Sequence, residues 1–215
     1  METIGVLGSG VVGDALASGF ARHGYPVMRG SRDPSKLEEW LAEAGPKASV
    51  GTFAQAATYG ELVVLAVKGS AAEEVVASVG PAIAAKTVID TTNPIADAPP
   101  EQGLLKFFTT NDESLLERLQ KKVPAARFVK AFSCVGSAFM VDPDFGGVRP
   151  TMFICGDQPT AKADVTPVLE KFGWDWVDMG GAASARAIEP LCRLWCLPGF
   201  LQNEWKHAFK YLVVR

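Results

Sequence analysis

Residues 8–13 read GSGVVG, placing Gly8, Gly10 and Gly13 in a G-x-G-x-x-G spacing. In such a turn Gly8 permits the tight bend and Gly10 lets the backbone approach a pyrophosphate. Gly13 lets the following helix pack close to the preceding strand. The unpaired N–H groups of that helix start then face an anion. At the end of the next strand a dinucleotide site carries Asp or Glu for the adenosine ribose. Here the stretch VMRGSRDP offers Ser31 and Arg32 instead. A carboxylate repels a 2′-phosphate, whereas a hydroxyl beside a guanidinium, with Lys36 one turn further on, receives one. The expectation is a site tuned to NADP.

Other reactive residue types give no competing site. Cys134, Cys155, Cys192 and Cys196 lack disulfide-scaffold spacing, and His23 and His207 are too few for a zinc centre. Cys192 and Cys196 share a helix face and read as packing, as does Cys134. Asp90 ends a central strand and reads as a loop cap rather than a base. No metal site is expected, and no catalytic acid or base is assigned.

The elements that must hold the glycine turn are legible from periodicity. IGVL (4–7) reads as a buried strand, 11–23 as a helix, 27–29 as a strand, and Asp33-Pro34 as a capped helix start. ASV (48–50) is a weak third strand, and ELVVLAV (61–67) is apolar on both faces, as a central parallel strand is. A helix over 70–79, a strand over 87–92, and a Pro- and Asp-rich loop over 93–103 follow. Then come helix 111–122, strand 126–132, strand 151–156, helix 159–172 and strand 174–180. From about Ala182 the chain reads as mostly helical, interrupted at Pro198-Gly199. The fold class is α/β, a Rossmann-type doubly wound, mostly parallel sheet with a short C-terminal helical appendage. Two parts are expected: residues 1–180 as the NADP-binding domain and 181–215 as a segment closing a substrate pocket or dimer interface.

With 215 residues, a net charge of −3 and scattered Lys and Arg, the chain carries no basic footprint for nucleic acid. No basic leader precedes the first strand, and PLCRLWCLPGFLQ is too short and too interrupted to cross a bilayer. A cytoplasmic protein with no membrane partner is expected.

The segments IGVLGSGVVG, GSRDP, DTTNPI, VKAF, FICGD and ARAIEPL resemble the deazaflavin (factor 420)-dependent NADP oxidoreductases. The NADPH-binding domain of the six-transmembrane metalloreductases is similar. The likeness runs in order through nearly the whole chain. It implies NADP(H) as cofactor and reversible hydride exchange with a deazaflavin, or with FAD or FMN, as second substrate. By position it places Ser9, Val11 and Val12 at the pyrophosphate, and Ser31 and Arg32 at the 2′-phosphate. Ala66, Val67 and Lys68 fall beside the adenosine ribose and pyrophosphate, Asn93 and Pro94 at the nicotinamide ribose, and Ala131 and Phe132 at the nicotinamide amide. It also implies a homodimer. Two departures stand out: Ser133 and Cys134 follow the KAF segment where metalloreductase-type relatives commonly have Asn, and Lys68 stands where a small apolar residue or Pro is frequent. Hydride transfer needs two rings held close and aligned with water excluded, not a nucleophile. The alternatives are an NADPH-dependent reductase of a small carbonyl, imine or ferric chelate, and a non-catalytic NADP-binding redox sensor.

Overall fold

The computed structural model describes residues 3–214; Met1, Glu2 and Arg215, which the two expected parts include, lie outside the described residues. The chain opens with β1 (Ile4–Leu7), α1 (Val11–Arg22) and β2 (Val27–Ser31). A single 3₁₀ turn (Pro34–Leu37), capped by the Asp33 carboxylate on the Ser35 N–H, leads into α2 (Glu38–Glu43). Next come β3 (Ala48–Thr52), α3 (Phe53–Tyr59), β4 (Leu62–Leu65), α4 (Gly69–Ile83) and β5 (Thr87–Asp90). After a long loop the chain forms α5 (Leu115–Lys122), β6 (Arg127–Lys130), β7 (Thr151–Ile154), α6 (Pro159–Lys171) and β8 (Asp175–Asp178). It closes with α7 (Ala185–Ile188) and α8 (Leu191–Gln202).

Six strands pair in parallel in the order β3-β2-β1-β4-β5-β6. That is the doubly wound order, and its direction reverses between β1 and β4, where the carboxyl ends of the strands open a crevice. A separate parallel pair, β7-β8, meets the main sheet through an antiparallel bridge between Lys130 and Cys155. The sheet is buried on both faces, which explains why its central strands are continuously apolar. Leu62 and Val64 of β4 join Ile4, Leu16, Phe20 and Trp174 on one face. Val63 and Leu65 point the other way, into the layer of Val76, Leu116 and Phe128.

Two readings of the sequence are corrected. The weak third strand leads directly into α3, and the signal was present as Thr52-x-x-Gln55. The Thr52 hydroxyl accepts the Gln55 N–H while the Gln55 side chain accepts the Thr52 N–H, a complete capping box. In the tail, α8 runs unbroken through Pro198-Gly199 and stops only at Asn203, in the left-handed conformation (φ 55°). Gly199 is there for space, not for a break: a Cβ at that position would sit 2.3 Å from the Trp205 ring. Beyond Asn203 the tail is not helical; it runs back beside β7, with the Thr151 N–H donating to the Phe209 carbonyl at 2.8 Å.

One buried charge cluster joins these parts. The Lys130 ammonium, fully buried at the end of β6, lies 2.6 Å from Asp90 Oδ2 and 2.8 Å from Glu189 Oε1, and donates to the Thr92 carbonyl at 2.8 Å. Burial alone pushes the Lys130 ammonium down, but the two carboxylates overcome it and hold its pKa above the ordinary value. Glu189 also accepts the Leu115 and Leu116 N–H groups, each at 3.0 Å, and so caps α5 from the far end of the chain. Replacing Lys130 by Ala leaves two carboxylates buried without their cation. Urea unfolding is expected to show a loss of about 3–5 kcal/mol. A loss under about 1 kcal/mol would contradict this account of the cluster.

Candidate functional site

The glycine turn is fixed by contacts with no side chain between them. A Cβ on Gly8 would lie 2.2 Å from the Ala66 carbonyl oxygen, and one on Gly13 would lie 2.4 Å from the Gly8 carbonyl oxygen. Both positions accept only glycine. Gly10 differs: a Cβ there meets nothing within 4 Å, so its freedom is spent toward open space rather than on packing. Ser9, Gly10 and Val11 are exposed at the start of α1, with Val11 72% accessible although it is apolar.

On one side of this turn lies a cavity of about 500 Å³ lined by Gly8, Ser9, Gly10, Ser31, Arg32, Ala66, Val67 and Lys68. The ends of β1, β2 and β4 thus bring together residues that are far apart in sequence. Phe53 and Glu74 also line this cavity; periodicity had no means of finding either, since they reach it from α3 and α4. Among the described residues Arg32 has no ion-pair partner, and the neighbouring Asp33 is engaged with the Ser35 N–H and hydroxyl. The Ser31 hydroxyl accepts the Asp33 N–H at 3.2 Å, which leaves its own proton free to be donated. Lys68 pairs with Asp97 from the long loop while keeping its side chain two-thirds exposed.

The other expected residues fall elsewhere. Lys36 opens on a second cavity of about 870 Å³, across the turn, with Asp14, Arg29 and Trp40. Val12 is half-buried and packs against the core. Pro94 is buried, and Asn93 packs its carbonyl against Gly69, where any Cβ would be blocked. The side chains of Ala131 and Phe132 belong to the core, so only their backbone can face a ligand. Phe132 holds φ at 61°, a conformation costly for an aromatic residue, at the mouth of the crevice. Beside it, Asn93 Nδ2 donates to the Ser133 carbonyl at 2.7 Å, while Asn93 Oδ1 and the Ser133 hydroxyl are buried with no partner among the described residues. Orphaned polar atoms on two residues that are hydrogen-bonded to each other fit a ligand that carries both a donor and an acceptor.

Neither reactive group weighed from the sequence is available for chemistry. Burial pushes the Cys134 thiol up to about 12, so it stays protonated at neutral pH. Asp90 is spent on Lys130 and on the Thr92 N–H and hydroxyl, at 2.9 and 2.6 Å.

Comparison with known proteins settles the family. Residues 3–94 match the family described as "NADP oxidoreductase coenzyme F420-dependent". The F420-dependent NADP reductase of Methanothermobacter marburgensis is 30% identical over 197 residues, covering 87% of each chain. The chain belongs to this family. A crystal structure of an Arthrobacter sp. FB24 protein, described as a putative F420-dependent NADP-reductase, superposes with a TM-score of 0.90 at 29% identity and covers 99% of this chain and all of that one. The metalloreductase STEAP3 of Rattus norvegicus is 30% identical over 204 residues, but the chain spans only 38% of that protein. As a family member the chain is an NADP-dependent oxidoreductase with NADP(H) as cofactor, and no helix among the described residues is long and apolar enough to cross a membrane.

The two glycines predict opposite outcomes. Gly10→Ala is expected to melt within about 2 °C of the parent while weakening NADPH binding at least about tenfold, because the new methyl meets no protein atom and narrows only the open space at the turn. Gly8→Ala is expected to lower stability by about 2 kcal/mol or more through the clash with Ala66. Equal effects of both changes on melting would contradict this division of labour.

Proposed function

We propose that the 500 Å³ cavity holds the adenosine 2′-phosphate half of NADP(H), and that the nicotinamide lies toward Asn93 and Ser133. Arg32 carries this reading: an exposed guanidinium without an ion-pair partner among the described residues, beside Ser31 and on the rim of a cavity that ends at a glycine turn. The pyrophosphate falls to the backbone of Ser9, Gly10, Val11 and Val12, where the dipole of α1 favours an anion. Ala66, Val67 and Lys68 flank the ribose, while Asn93, Pro94 and the backbone of Ala131 and Phe132 border the nicotinamide. Lys36 faces the opposite cavity and is not required for the 2′-phosphate.

The bound cofactor supplies a hydride, and the protein's part is to hold the ring, expose one face and keep water away. The orphaned Asn93 Oδ1 and Ser133 hydroxyl suit the N–H and C=O of a carboxamide. We assign the second substrate to the deazaflavins. The names of the Methanothermobacter and Arthrobacter relatives support this. The free thiols suit a reducing compartment, and we place the reaction in the cytoplasm.

Fluorescence titration with NADPH and NADH, followed by addition of a deazaflavin, FAD, FMN, a cyclic imine or a ferric chelate, tests the assignment. NADPH preference is expected to fall by about tenfold or more in Arg32→Ala. Oxidation of NADPH is expected with the deazaflavin. Turnover with the imine or ferric chelate alone, or binding without turnover on any acceptor, would replace the substrate assignment with the corresponding alternative.

A homodimer is the second part of the proposal. Leu194, Phe200 and Leu201 of α8 and Trp205, Leu212 and Val213 of the tail leave large apolar side chains exposed. Sedimentation at micromolar concentration is expected to give twice the chain mass; a monomer would contradict it.

A further inference from the structure

Among the few charged side chains nearly sealed from water, Asp90, Lys130 and Glu189 form one cluster, and Arg29 stands apart from it. It lies in the middle of β2, where an apolar residue would fill the strand more cheaply. Its guanidinium reaches under the glycine turn. Nε donates to the Gly8 carbonyl at 3.0 Å, Nη2 donates to the Gly10 carbonyl at 3.1 Å, and Nη1 pairs with Asp14 at 2.7 Å. Trp40 covers it, 5.4 Å from ring centroid to guanidinium carbon, and is itself fixed by its indole N–H on the Ser18 hydroxyl at 2.9 Å. Burial pushes the guanidinium down from its ordinary value and Asp14 pulls it back, so it remains a cation at neutral pH.

The consequence follows from peptide geometry. In a trans peptide the carbonyl and the next residue's N–H point in opposite directions. Pinning the Gly8 carbonyl therefore aims the Ser9 N–H away from Arg29, and the Gly10 carbonyl, held jointly by Arg29 and by the Asp14 N–H at 2.9 Å, does the same for Val11. Gly8, Ser9 and Gly10 line the 500 Å³ cavity, which Arg29 does not reach; Arg29 lines the other cavity, which Ser9, Gly10 and Val11 also border.

We propose that Arg29 is a positioning residue for the cofactor pyrophosphate: its fork holds the Gly8 and Gly10 carbonyls so that the Ser9 and Val11 N–H groups are presented to the phosphate oxygens. This rests on the reading of the cavity as the NADP site. Arg29 touches the turn and not the ligand, and its charge is partly offset by Asp14. Its effect is therefore on the orientation of donors, and it is specific to ligands that carry a 5′-phosphate.

Calorimetric titration of the parent, Arg29→Met and Arg29→Lys with NADPH, 2′,5′-ADP and 2′-AMP tests this, with melting temperatures recorded alongside. Both variants are expected to bind NADPH and 2′,5′-ADP about tenfold or more weakly, and 2′-AMP, which has no 5′-phosphate, within about twofold of the parent. Lysine keeps the charge and the pairing with Asp14 but cannot fork onto two carbonyls. If Arg29→Met does not fold, Arg29→Lys alone decides the matter. Unchanged affinity for NADPH, or an equal loss for all three ligands, would overturn the proposal, the second because a general collapse of the site weakens 2′-AMP as well. A parent protein that binds none of the 2′-phosphate ligands would instead overturn the assignment of the cavity, and that outcome is separate.

Discussion

The structure depends on a backbone-to-backbone contact. At the end of β1 the chain must turn, start a helix and still lie against β4, and no side chain fits between the layers at Gly8 and Gly13. Once the turn is that tight, the amino end of α1 is held at the point where the strand order reverses, with its first N–H groups facing the crevice. Ser31, Arg32 and the end of β4 border the same cavity because β2 and β4 flank β1. Arg29 then fixes the turn from behind. The geometry of the turn is the product of sheet order, glycine packing and one buried fork.

The second half of the molecule solves a different problem. The ends of β5 and β6 carry Asp90 and Lys130, each buried, and neither is stable there alone. Glu189 completes the pair, and in doing so ties α5 and the start of the helical tail to the sheet. Side by side with this cluster, Phe132 adopts its left-handed conformation, and Ser133 and Asn93 meet with their polar atoms unsatisfied. Strain and orphaned polar groups thus stand directly beside the buried charge cluster, where a bound ligand could complete them.

Much of this was legible in the sequence, and the reasons are local. Fully buried strands such as LVVL, the Asp33-Pro34 cap and the glycine spacing each depend on a few neighbouring residues. Where an interaction spans the chain, the sequence is silent. Nothing in VMRGSRDP distinguishes Arg29, which is 3% exposed, from Arg32, which is exposed, because the difference lies in Gly8, Gly10 and Asp14 meeting the former. Likewise Lys36 reads as a neighbour of Arg32, yet the 3₁₀ turn after Asp33 directs it to the other cavity. Pro198-Gly199 reads as a stop only to an eye that cannot see Trp205 folding back onto it. The helix at Phe53 is announced by its capping box, Thr52-x-x-Gln55, and not by its short apolar pattern.

A crystal structure of the chain with NADPH tests the central claim most directly. The account predicts the 2′-phosphate within hydrogen-bond reach of the Ser31 hydroxyl and the Arg32 guanidinium, and the pyrophosphate on the N–H groups that open α1. An adenosine seated across the turn, in the cavity of Asp14, Lys36 and Trp40, with Arg32 left in solvent, would contradict it.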